Sequence, residues 1–168
     1  MRLIRLAVLF ASTSLLTTPS FADNTSLPLV AKLMAGLSDG GTMVQGSFGK
    51  GAIKATGDGA YEVTFDKVTI SFLYDEPDTC QFTQHLQMGT DVSDARMDFT
   101  KVTSVEVADQ GQIDGLHAAL ITFKGPPETL QVVMGDKLVS QQPAFAFLAS
   151  TLTIDELNAA ATELQRIC

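Results

Sequence analysis

The chain has 168 residues, with 19 acidic side chains against 11 basic ones and a formal net charge of −8. A surplus of negative charge repels nucleic-acid backbones and anionic lipid surfaces, which speaks against electrostatic binding to either. Ten phenylalanines, two tyrosines and no tryptophan leave phenylalanine as the main core aromatic of a chain long enough for one domain.

Arg2 and Arg5 precede an uncharged stretch from Leu6 to Leu16, and small residues follow at Ser20 and Ala22. That pattern predicts a secretory signal peptide at 1–22, cleaved after Ala22, and a single exported domain at 23–168. Its apolar core is too short to span a bilayer, which takes about 20 residues, so the expected mature form has no membrane anchor and is periplasmic or secreted. Loss of the leader removes two arginines and leaves 9 basic against 19 acidic side chains, a net charge of −10.

Ser26 is placed to cap a first helix running from Leu27 to Leu37, with Pro28 tolerated in its first turn and Gly40-Gly41 closing it. From Gly51 the apolar pattern changes to period two. Runs at 51–56 and 60–65 flank Gly57-Asp58-Gly59, a hairpin signal. Val68, Ile70, Phe72 and Tyr74 alternate with polar residues as the next strand. Further strands are expected from Cys80 to Met88, Phe99 to Val107, Leu116 to Phe123, Leu130 to Met134 and Lys137 to Ser140. Gln110–Gly115 reads as a longer hairpin loop and Gly135-Asp136 as a two-residue turn. Thr153 and Glu156 have the spacing of a capping box, and Ile154, Leu157, Ala161, Leu164 and Cys168 form one apolar stripe of a final helix. Short links favour antiparallel neighbours. The expected fold is α+β: a meander-like antiparallel sheet of about six to eight strands, covered by the terminal amphipathic helix, with a short helix near the N-terminus.

Cys80 and Cys168 are the only cysteines. One alternates in phase with Phe82, Leu86 and Met88, the other ends the core-facing stripe of the last helix, so a disulfide between them is predicted. Nearby, Asp75, Glu76 and Asp78 surround Pro77 in an acidic turn; calcium is one conceivable occupant, but the ligand pattern of a calcium-binding hand is missing and a solvated loop is the simpler expectation. Asp91, Asp94 and Asp98 recur at helical spacing and read as capping residues or a polar loop. Gly46–Gly51 has neither the spacing nor the following Ser or Thr of a phosphate-binding loop.

Only two histidines are available for acid–base chemistry. His85 falls in the phase opposite Cys80 and is expected to face solvent, whereas His117 lies on a strand apolar on both sides and reads as a core histidine or a pocket group. No hydrolase elbow or zinc-protease motif occurs, so no catalytic residue, metal or cofactor is assigned. The leading expectation is a non-enzymatic binding or interaction module with an envelope protein as partner. The alternatives are a carrier of a small apolar ligand in a pocket drawn from Phe72, Phe82, His117, Phe123 and Phe147, and an enzyme using His85 or His117.

Overall fold

The computed structural model describes residues 26–134, 137–142 and 144–168; the expected leader and the Gly135-Asp136 turn lie outside them. Helix α1 (Ser26–Ala35) is followed by strands β1 (Thr42–Gln45), β2 (Gly49–Gly57), β3 (Ala60–Thr64), β4 (Thr69–Asp78), β5 (Gln81–Met88) and β6 (Asp91–Asp98). Strands β7 (Ser104–Ile113), β8 (Leu116–Lys124), β9 (Leu130–Met134), β10 (Lys137–Gln142) and β11 (Ala144–Ser150) complete the sheet, and helix α2 (Ile154–Ile167) follows. The fold class is α+β as expected, with eleven strands rather than six to eight.

Three strands carry no sequence signal strong enough to read. In β6 the core-facing phase holds Ser93, Ala95 and Met97, too little apolar bulk to show alternation, so the aspartates expected in a loop or helical turn instead lie along a strand. In β11 the large residues Phe145 and Phe147 occupy the exposed phase, inverting the usual pattern. Strand β1 is only four residues long. The expected strand from Phe99 begins later, at Ser104, after a 3₁₀ turn at Phe99–Lys101. The expected loop at 110–115 is largely strand: β7 continues to Ile113, a register shift absorbs the extra residues, and Asp114-Gly115 makes the turn. Polar side chains on an exposed ladder conceal such an extension.

All strand pairs are antiparallel, in the order β10-β9-β6-β5-β4-β3-β2-β1-β11-β8-β7. The first six strands form a meander; the remaining five do not follow it. The chain leaves β6, builds the β7–β8 hairpin at the far end, returns to set β9 and β10 beside β6, then inserts β11 between β8 and β1. Those crossings are short because the sheet curls: the Phe99 ring, just past β6, packs edge-on against Phe123 of β8 with centroids 6.2 Å apart. Among the described residues no pairing joins the two end strands, so the curled sheet is open.

Val30 and Leu33 of α1, Phe72 and Tyr74 of β4, and Leu157 and Leu164 of α2 meet in one buried core. Removing such side chains from water stabilises by roughly 1.5–3 kcal/mol each. Helix α2 begins as its sequence predicts: the Glu156 amide donates to Thr153 Oγ1 at 3.2 Å and the Thr153 amide donates to Glu156 Oε2 at 2.8 Å. It lies on α1 and β7, and Cys168 is joined to Cys80 with their Cα atoms 5.6 Å apart. Cys80 is not the first residue of its strand; it occupies the β4–β5 turn with φ +60°, buried against the core.

Candidate functional site

Two sets of polar and apolar side chains stand out once the sheet is curled. On its outer face, His85 of β5 sits between neighbours on both sides. Its Nδ1 lies 2.8 Å from Asp94 Oδ1 on β6 and its Nε2 lies 3.5 Å from Asp75 Oδ2 on β4. The ring is therefore not simply solvated, as its phase suggests, but clamped. Partial burial lowers its pKa, yet hydrogen bonding and charge from Asp94 and then Asp75 outweigh that, and the net shift is upward. Two carboxylates that favour the charged form of the ring tie β4, β5 and β6 together through it.

The acidic stretch expected as a turn forms the end of β4 instead, with the turn at Thr79-Cys80, and its carboxylates are dispersed in the same way. Asp75 faces His85, Glu76 accepts from the Cys80 amide at 2.7 Å and from the Ser26 hydroxyl at 2.6 Å, and Asp78 accepts from the Thr79 amide. Among the described residues no three metal-ligating side chains converge. A polar hollow of about 440 Å³ adjoins this region, lined by Asp75, Thr83, Arg96, Asp98 and Lys101 above Phe82. Its charges partly answer each other: Lys101 pairs with Asp98 at 3.2 Å. Burial raises the Asp98 pKa, but hydrogen bonds from Thr100 and Lys101 bring it below the usual carboxylate value.

The apolar site arises from a defect in the sheet. Strand β11 runs alongside β8 over its whole length but pairs with β1 only at Met43↔Ser150. Beyond that bridge the two strands diverge, and among the described residues Ala144–Ala149 have no partner strand on the β1 side. The wedge opens inward. One lobe, of about 230 Å³, is lined by Met43 and Gln45 of β1, Phe72 of β4, Gln84 and Leu86 of β5, and Phe147 of β11. A second lobe, of about 210 Å³, is lined by Ala95 and Met97 of β6, Phe123 of β8, Leu130 of β9, and Phe145 and Phe147. Met34, at the end of α1, borders both lobes together with Gln84 and Phe147, so the lobes meet there. At the rim Phe145 and Phe147 remain 59 % and 55 % exposed. No charged side chain lines either lobe among the described residues.

Of the residues singled out in the sequence, Phe72, Phe123 and Phe147 come together along this cleft. Phe82 is buried, packed edge-on against Phe99, and lies under the polar hollow instead. His117, half-buried at the start of β8 opposite Ser150 and Gln112, lines neither lobe. Met34, Gln84 and Phe145 were not read as site residues. The signal for Gln84 was present: it is the polar residue in the core-facing phase of β5, between Phe82 and Leu86. No family model, no curated protein and no solved structure matches this chain.

Proposed function

We propose that this protein is a non-enzymatic binding protein of an exported compartment and that it carries a small apolar ligand in the cleft between β1 and β11. The observation that carries the reading is the divergence of these strands, which opens the core between apolar walls and leaves two phenylalanines exposed at the entrance. Together the lobes reach the lower end of small-molecule site volumes, roughly 300–1,000 Å³. An apolar cavity of about 150 Å³ is already enough for benzene, so each lobe has room for a group of that size. Export is supported by the leader pattern in the sequence and by the disulfide, which persists in oxidising compartments.

The test is titration of the full mature chain with the neutral fluorescent dye N-phenylnaphthylamine. One saturable site is expected, weakened about tenfold by Phe147→Ser, which removes apolar contact at the rim. Dye binding that never saturates, or that ignores Phe147, overturns the reading. A second reading has its own observation in the unpaired edge of β11, which would accept an extended peptide as an added strand with Phe145 and Phe147 beside it. Under that reading the dye fails to saturate, while a partner's extended segment protects the β11 amides from hydrogen exchange.

A further inference from the structure

We infer that the ligand is an uncharged amphiphile, an apolar molecule bearing one hydroxyl or carbonyl group, and that Gln84 receives that group where the two lobes meet. This rests on the binding reading above and names its ligand class.

Among the described residues, Gln84 is the one side chain with hydrogen-bonding capacity that lines both lobes. Its Nε2 donates to the hydroxyl oxygen of Tyr74, the cross-strand neighbour on β4, at 2.6 Å. That leaves the Gln84 carbonyl oxygen and its second N–H without a protein partner among the described residues. Tyr74 is 1 % exposed, and its own hydroxyl hydrogen finds no acceptor among the described residues. Gln84 thus presents donor and acceptor capacity where the lobes meet, with Tyr74 behind it lining neither lobe and Gln45 adding a second amide on the wall of the first lobe. Polar groups shut away from water cost free energy unless they are paired. A pure hydrocarbon filling the cleft would strand them, whereas a hydroxyl or carbonyl on the ligand satisfies them.

Charge selects further. A carboxylate or ammonium entering this cleft loses its hydration and meets no opposite charge among the described lining residues. Burial also drives the Tyr74 phenol far above its ordinary pKa, outweighing the hydrogen bond from Gln84, so the group behind Gln84 stays neutral.

The experiment displaces N-phenylnaphthylamine from the full mature chain with three ligands of equal chain length: decanol, decyl chloride and decanoate, at about pH 8, where the acid is ionised. Decanol is expected to displace the dye at the lowest concentration. In Gln84→Leu its advantage over decyl chloride, each displacement referred to the dye affinity measured for that variant, is expected to fall by about fivefold to tenfold, the value of one hydrogen bond. Gln84→Met, which keeps the side-chain length and removes the amide, is expected to move the ratio in the same direction and serves if the leucine variant does not fold. Decanoate binding as well as decanol, or a decanol advantage unchanged in the variant that folds, overturns the assignment of ligand class while leaving the apolar site standing. Absence of saturable dye binding in the unmodified chain removes the site itself.

Discussion

At His85 both ring nitrogens face carboxylates, so its charged form is favoured in the folded chain and its pKa lies above the ordinary value of 6.5. A raised histidine contributes stability that is fully present below its unfolded pKa and is lost as the pH climbs through the folded value. Thermal melts of the protein and of His85→Gln are therefore expected to differ most near pH 6 and to converge by about pH 9; a gap that widens with pH would refute the clamp. Gly59 offers a steric counterpart. Its φ is +68°, and a Cβ there would lie 2.7 Å from the Tyr74 carbonyl oxygen. Gly59→Ala is expected to cost on the order of 2 kcal/mol in denaturant melts, combining left-handed strain with that clash. The sequence discloses these two positions unequally. An Asp-Gly step announces a turn by itself, but the partners of His85 come from strands whose register no local pattern reveals.

Among the elements, α2 is the most legible. Capping box and apolar stripe are local signals and hold through Leu164, whereas Cys168, expected to end the core-facing stripe, is an exposed C-cap residue that still reaches buried Cys80 to form the disulfide. Thr153→Ala is expected to lower stability by about 1 kcal/mol, visible as a reduced melting temperature, since it removes the hydroxyl that caps the Glu156 amide. Strands β6 and β11 mark the opposite case. Strand β6 is polar because its outer face carries charged residues and its inner face borders a cleft that small side chains leave open. Strand β11 turns its phenylalanines outward because they form a rim rather than fill a core. Sequence patterns assume that large apolar groups face inward, so they fail where a binding site requires otherwise. Phe72, Phe123 and Phe147 could be gathered into a candidate pocket from sequence, whereas Phe145 and Gln84 were missed.

For the whole molecule the disulfide is the main covalent constraint, joining residues separated by 88 positions. On the chain-entropy account its removal in Cys80→Ser/Cys168→Ser costs between about 4 and 5 kcal/mol, read as a lower denaturation midpoint with a steeper slope, because the unlinked denatured chain is more expanded. It bolts the β4–β5 turn to the end of α2, but it does not touch the seam between β1 and β11. That seam holds through the Met43↔Ser150 bridge and the contacts of Thr42 with Thr151, 109 residues apart in the chain. Contacts so distant in sequence are slow to form. The two parts of the sheet, β1 to β6 with β9 and β10 on one side and β7, β8 and β11 on the other, are therefore expected to join late in folding and to part early in unfolding, read as early hydrogen exchange of the Thr42 and Thr151 amides. A molecule lodged across the seam touches both parts and is retained only while they are joined, so cargo would lengthen the lifetime of the native state by acting on its unfolding rate.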